Sequence, residues 1–384
     1  MKRVGAIGRD CAAERIPTLR SVTSRWVRCR YSEGGELYPD FIGIGAQKAA
    51  TTWLDHNLQA HPQIWVPPIK ELHYFNDRIN DPSNVALRLY RRVFVGKSAP
   101  ERRWRSLGKA RFKRHLKRFS KEDFLWDLKY YAGTPNDDWY ASLFEPGRGN
   151  VVGEICPAYS MLEPDVVARV HELMPQAKLV FVMRNPIERA WSQVVMEFGT
   201  ERAWSQAAME FGNTENQVID AMAEGKIRRF LQSEDSRLRT NYLRTLDNWG
   251  TFYPEEQIFV GFFEDVHFFP EELLRRLYGF LGVDPSFKPP HLDKKVSVRS
   301  TGTAPTGALG YLAQVYRDEI GQLHELFGGY TSFWLYCTER LIEKLPPDKR
   351  IPFPLWESLL WSEWESSGQP RLQSGPLSSV QLAS

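Results

Sequence analysis

The sequence predicts an α/β protein with a central parallel sheet flanked by helices, and three observations carry that prediction. Apolar runs at 41–44, 151–155, 179–183 and 258–262 have the length and continuity of buried parallel strands. Stretches of helical periodicity alternate with them, as crossover helices require. Residues 41–53, Phe-Ile-Gly-Ile-Gly-Ala-Gln-Lys-Ala-Ala-Thr-Thr-Trp, lead a strand (Phe41, Ile42, Ile44) through a small-residue turn into a helical pattern (Thr52, Leu54, Leu58).

Composition sets wide bounds. With 384 residues, 42% hydrophobic and 25% charged, the chain can form one large domain or two smaller ones around a substantial core. A net charge of +3 excludes a polycation. Cys11, Cys29, Cys156 and Cys337 are too dispersed for a disulfide framework or a zinc site, which favours a reducing, cytoplasmic setting. Residues 1–38 form a basic extension broken by Gly and Pro, without the apolar core of a signal peptide. No apolar run is long enough to span a bilayer. The eight histidines lack zinc-like spacing, and no metal is expected.

The strand–turn–helix at 41–53 directs backbone N–H groups and a helix N-terminus at one spot, which suits a phosphate. Lys48 adds a mobile positive charge, and Thr51 and Thr52 add hydroxyls. The lysine precedes the threonine pair by three and the Gly-Lys-Ser/Thr ending is missing, so this is not a Walker loop. Downstream, residues 178–193 read Lys-Leu-Val-Phe-Val-Met-Arg-Asn-Pro-Ile-Glu-Arg-Ala-Trp-Ser-Gln. Leu179 to Met183 form a strand, Arg184 stands at its carboxyl end, and Pro186 opens a helix. Ser192 follows Arg184 by eight residues, so the pair can clamp one phosphate from two sides.

With both segments in hand, the chain resembles the sulfotransferases that use 3′-phosphoadenosine 5′-phosphosulfate (PAPS). Ile-Gly-Ala-Gln-Lys-Ala-Ala-Thr-Thr is similar to that family's 5′-phosphosulfate loop, and Arg-Asn-Pro-Ile-Glu-Arg-Ala-Trp-Ser to its 3′-phosphate motif. Further similar segments are 68–75 (Pro-Ile-Lys-Glu-Leu-His-Tyr-Phe), 153–159 (Gly-Glu-Ile-Cys-Pro-Ala-Tyr) and 259–265 (Phe-Val-Gly-Phe-Phe-Glu-Asp). The resemblance implies a nucleotide-kinase-like (P-loop-like) fold over residues 39–335. It further implies that Gln47, Lys48, Ala49, Ala50, Thr51, Thr52 and Trp53 bind the 5′-phosphosulfate and that Arg184 and Ser192 bind the 3′-phosphate. Lys48 is expected to stabilise charge on the leaving group. The product is 3′-phosphoadenosine 5′-phosphate (PAP).

An acceptor hydroxyl must lose a proton as it attacks. Glu71 and His73 stand two residues apart, and an extended backbone would project both from one face. Relatives acting on glycans use a glutamate in such a motif, which ranks Glu71 first and His73 second, with Lys70 assisting. Those relatives often carry a lysine after the glutamate of the Gly-Glu-x-x-Pro motif, whereas Ile155 and Cys156 follow Glu154 here. That departure argues against a heparan-like acceptor. A second departure is a tandem repeat, Glu188–Thr200 copied with few changes at Glu201–Asn213. Only the first copy follows the strand, so the phosphate site falls to Ser192 rather than Ser205.

Three further segments stand out. Residues 88–121, within an insertion at about 80–125, crowd Arg102, Arg103, Arg105, Lys109, Arg111, Lys113, Arg114, Lys117 and Arg118 around Trp104, Phe112 and Phe119. Such a run fits a solvated insertion, an acceptor cleft, or a surface for nucleic acid or anionic lipid. Lys295 and Arg299 are candidates for a loop closing over the nucleotide. Residues 336–384 hold a tryptophan-rich amphipathic helix with Trp356, Leu360 and Trp364 on one face, followed by a flexible tail from Ser366. That face is expected to dock on the protein's own core, with peripheral membrane contact as the alternative. The leading reading is a sulfotransferase that acts on a hydroxyl, or as second choice an amine, of a carbohydrate, lipid or small-molecule acceptor, with no nucleic-acid partner. The alternatives are a kinase-like ATP-binding enzyme and a binding module built on residues 88–121.

Overall fold

The computed structural model describes residues 35–78, 99–198, 229–290, 292, 302–343, 346, 349–366 and 375–376. In chain order its elements are β1 (Phe41–Gly45), α1 (Thr51–Ala60), β2 (Ile64–Trp65), α2 (Ala99–Lys117), α3 (Lys121–Ala132), α4 (Asp137–Ser142), β3 (Val151–Ile155), α5 (Pro164–Leu173), β4 (Lys178–Met183), α6 (Pro186–Phe198), α7 (Glu234–Leu238), α8 (Tyr242–Gly250), β5 (Ile258–Phe262), α9 (Phe263–Phe268), α10 (Pro270–Leu281), β6 (Gly302–Pro305), α11 (Thr306–Phe327), α12 (Tyr330–Glu343), β7 (Arg350–Phe353), α13 (Leu359–Glu365) and β8 (Gly375–Pro376). The four apolar runs are β1, β3, β4 and β5.

The main sheet has the order β2-β3-β1-β4-β5-β8. Its first five strands are parallel, and β8 pairs antiparallel with β5 at Phe259–Pro376 and Val260–Gly375. β1 and β5 are buried at every position, because helices cover both faces. Glycines let β1 and β3 approach. A Cβ on Gly153 would sit 2.3 Å from the Phe41 ring, and one on Gly43 2.3 Å from Ile155. β1 leads toward β2 on one side while β4 leads toward β5 on the other. A crevice therefore opens at the carboxyl ends of β1 and β4, where open parallel sheets bind ligands.

The C-terminal segment is part of this body. Residues from Leu37 onward form one compact unit, and the 335/336 boundary expected from the sequence falls inside α12. Ser358 interrupts the expected amphipathic helix, its hydroxyl accepting from the Leu360 amide and capping α13. Trp356, Trp361 and Trp364 are buried, with Trp361 and Trp364 against Phe333 and Trp356 against Phe263 and His267. The tryptophan face thus docks on the core, as favoured from the sequence, and the lipid contact considered for it has no tryptophan left to make it. Gly375–Pro376 extends the main sheet, so the tail is not flexible throughout.

Glu264, at the start of α9, is fully buried and accepts from Trp334 Nε1 at 2.6 Å. Burial, then the charge of Glu188, raises its pKa from 4.5 to about 8. The folded state therefore holds a proton that the unfolded state releases. The resulting stability is full below pH 4.5 and is lost as pH rises toward 8. Melting temperature is expected to fall between pH 5 and 8, and Glu264→Gln, which keeps an acceptor for Trp334, should flatten that slope. An unchanged slope in the variant would show that another group titrates.

Candidate active site

The loop after β1 is a strained turn with the backbone geometry of an anion cradle. Lys48 (φ 72°) and Ala50 (φ 60°) both adopt the left-handed conformation. A non-glycine residue held there raises the energy by about 1–2 kcal/mol. Among the described residues only two other non-glycine residues share this conformation, Glu71 (φ 63°) and His73 (φ 55°). All four lie in the two segments singled out from the sequence. α1 starts at Thr51 with no side-chain cap and no acid in its first turn. Its first bond at this end runs from the Leu54 amide to Ala50 O at 3.0 Å, so the preceding amides point out of the helix end. Alternating left-handed residues before such an end turn successive N–H groups to one side. Buried Gln47 Oε1 also lacks a hydrogen-bond partner among the described residues.

Side chains converge on this spot. Lys70 Nζ donates to Thr51 Oγ1 at 3.2 Å and Thr52 Oγ1 at 3.3 Å, and pairs with Glu71 Oε1 at 3.3 Å. Glu71 Oε2 lies 3.4 Å from His73 Nε2. The two base candidates therefore meet each other and the helix end, but not by the extended backbone expected. Two buried groups fix the turn instead. Glu154 Oε2 accepts the Leu72 amide at 3.3 Å, and Tyr159 OH accepts the Tyr74 amide at 3.1 Å. Glu154 in turn accepts from Tyr140 OH at 2.6 Å and Tyr159 OH at 3.0 Å, and burial raises its pKa. Leu72, fully buried, points inward and turns its two neighbours outward. Cys156 Sγ lies 3.8 Å from His73 Nδ1, and burial pushes its thiol pKa well up, so the position is neutral.

Arg184 reaches the cradle from β4, though already partly engaged. Its Nε and Nη2 donate to Glu188 Oε2 at 3.0 and 2.8 Å, and its Nη1 donates to Lys48 O at 3.2 Å. The guanidinium lies over the Phe263 ring at 4.3 Å. Three of its five N–H donors are used within the described chain, leaving two for a ligand. Lys48 Nζ donates to Met196 Sδ at 3.7 Å. Half-buried Ser192 stands one turn before Met196 on α6, so the Lys48 amine reaches the same helix face. Trp53 Nε1 donates to Leu292 O at 3.0 Å, which brings the segment preceding Lys295 and Arg299 onto α1. Lys295, Arg299 and the second repeat copy with Ser205 lie outside the described residues.

Sequence reasoning did not include Glu154, Glu188 or Asp55 in the site. Asp55 is half-buried one turn after Thr51. Burial raises its pKa to about 6, against the attraction of Lys70 and with the repulsion of Glu71 adding to the shift. The Arg184–Glu188 spacing on a helix start was the one available signal for Glu188. Glu154 lies in the family-like segment 153–159, but nothing in the sequence marked its role, since Tyr140, one of its two phenol partners, is fourteen residues away.

An anion cradle at the switch point, beside a carboxylate–imidazole pair, fits an α/β enzyme that transfers an anionic group. Residues 39–288 match the Sulfotransferase family, and the chain belongs to it. The membrane-associated sulfotransferase kil1 of Dictyostelium discoideum is 28% identical over 159 residues, which are 40% of this chain and 22% of that protein. The chain thus spans under a quarter of that relative's length. Similar solved structures include the sulfotransferase from Alicyclobacillus acidocaldarius, at 22% identity and TM-score 0.45, over 75% of this chain and 94% of that one. Another is the sulfotransferase domain of the Synechococcus PCC 7002 olefin synthase, at 17% identity and TM-score 0.41, over 74% of this chain and 96% of that one. No helix among the described residues is long and apolar enough to cross a membrane.

Proposed function

We propose that this enzyme moves a sulfuryl group from PAPS to a hydroxyl of a carbohydrate, lipid or small-molecule acceptor by in-line displacement. The observation that carries this reading is the uncapped, left-handed entry to α1, with Lys70, Glu71 and His73 gathered at it. Residues 47–53 hold the 5′-phosphate end through amides and the Thr51 and Thr52 hydroxyls. The two remaining N–H donors of Arg184, with Ser192, take the 3′-phosphate. Lys295 and Arg299, which lie outside the described residues, are the candidates for further cations at the nucleotide.

Glu71 receives the proton of the acceptor hydroxyl as its oxygen bonds to sulfur. The bond from sulfur to the 5′-phosphate oxygen breaks, Lys48 stabilises the charge left on that oxygen, and PAP departs. Lys70 orients Glu71 and the transferring group, and no metal enters this scheme. With apolar Ile155 and neutral Cys156 after Glu154, a densely anionic glycan finds one cation fewer, which favours a less charged acceptor. The free, buried thiols of Cys156 and Cys337 support a cytoplasmic setting.

Transfer of labelled sulfonate from PAPS to a panel of acceptors tests this reading. Glu71→Gln is expected to lower kcat by about 10²–10⁴-fold with little change in donor KM, and His73→Gln by about tenfold. The reverse ranking would move the base to His73. Transfer of the γ-phosphate of ATP instead would contradict the proposal.

A further inference from the structure

The helices α2 and α3 bury an ion pair beside Trp126 and Tyr130 while they leave an apolar face exposed. Arg111 Nε donates to both oxygens of Asp127 at 2.9 Å, and His115 Nε2 meets Asp127 Oδ2 at 2.7 Å. Arg111 and Asp127 are only 7% and 6% exposed. Phe112, Leu116, Phe119, Phe124, Leu125 and Leu128, by contrast, are 45–73% exposed and make up six of the eleven exposed large apolar side chains among the described residues. They converge across the hairpin, with the Phe119 and Phe124 rings 5.9 Å apart and His115 5.8 Å from Phe124. A helical pair normally buries such residues and exposes its charges.

Charge says what this face meets. Residues 99–132 contain eleven lysines and arginines against four acids, a net +7 in a chain whose total is +3. Lys109, Lys113 and Lys117 follow one edge of the Phe112–Leu116 stripe at one-turn spacing, and Lys121 stands before Phe124; all four are exposed. The base of the hairpin is fixed to the domain by Trp126 Nε1 to Leu143 O and Trp139 Nε1 to Lys129 O, both at 2.8 Å, so the apolar end is presented on a firm stem.

We propose that this exposed apolar face with its lysine rim is a docking surface for an anionic lipid bilayer. Phenylalanines and leucines rimmed by lysines match an interfacial membrane contact, in which apolar side chains enter the acyl boundary and cations remain among the headgroups. The leucines weigh against nucleic acid, which uses aromatic stacking and phosphate contacts.

The test is co-sedimentation of the full chain with phosphatidylcholine vesicles, alone or with about 30% phosphatidylserine, at about 0.15 M salt. Binding is expected only to the anionic vesicles. Phe112→Ser/Leu116→Ser/Phe124→Ser should lower it at least tenfold. Lys109→Gln/Lys113→Gln/Lys117→Gln should lower it roughly a hundredfold. Both variants change exposed residues that make none of the active-site contacts described above, so melting temperature and transfer to a water-soluble acceptor should match the wild type. The proposal fails if the wild type stays in the supernatant, or if neither variant weakens binding. It also fails if a short RNA displaces the vesicles at equal charge, or if the apolar variant converts a dimer into a monomer.

Discussion

Lys48→Ala is expected to lower kcat by about 10²–10³-fold at saturating donor while the protein melts as the wild type does. A preorganised cation accelerates a transfer when it acts where charge develops, here the phosphate oxygen released from sulfur. The Lys48 backbone is held in place. Lys48 is held at φ 72°, and its carbonyl is fixed by Arg184 Nη1 at 3.2 Å. Its side chain reaches Met196 on α6 rather than the core, so its loss should alter stability by under about 0.5 kcal/mol. Affinity for PAP should fall far less than kcat, because charge on the bridging oxygen is greatest in the transition state. Equal losses in PAP affinity and kcat would make Lys48 a ground-state binding residue.

Glu188→Ala should destabilise the fold by about 3–5 kcal/mol, visible as a melting temperature lower by roughly 5–10 °C. Glu188 is fully buried, and its two oxygens accept from Arg184 and from the Leu355 amide at 2.8 Å. Removing it leaves a buried guanidinium without its counter-ion and a buried amide without an acceptor, the costly half of a broken ion pair. The carboxylate also ties the C-terminal segment to Arg184, so with the proposed donor site nucleotide affinity should fall with stability. The double change Arg184→Met/Glu188→Leu separates the two roles. It removes both charges and should recover most of the melting temperature while leaving PAP binding lost. A double variant as unstable as Glu188→Ala would mean that the Leu355 contact, not the ion pair, dominates.

The fold was legible where burial leaves its mark on composition. β1, β3, β4 and β5 are covered on both faces, so their sequences are continuous apolar runs. β2 and β8 have two residues each and show no period to read. The loop was legible because lysine, threonines and small residues stand together after a strand. The left-handed turns at Ala50, Glu71 and His73 were not, since none is a glycine or an asparagine, the usual marks of that conformation. Buried carboxylates escaped for a related reason. Glu154 and Glu188 look like surface acids until tertiary structure brings Tyr140, Tyr159 and Leu355 to them. The basic run at 102–118 was plain in the sequence, but only folding shows that Arg111 turns inward to Asp127 while Phe112 and Phe119 face out.

The most direct test of the donor site is thermal unfolding with PAP, with adenosine 5′-phosphate and with ATP plus magnesium, for the wild type and Arg184→Met. PAP at a hundred times its dissociation constant should add about 2.7 kcal/mol of stability to the wild type, and little to the variant. Adenosine 5′-phosphate, lacking the 3′-phosphate, should do markedly less. A shift with ATP and magnesium that PAP does not match, or a PAP shift that survives Arg184→Met undiminished, would contradict the assignment of this crevice to a 3′-phosphorylated donor.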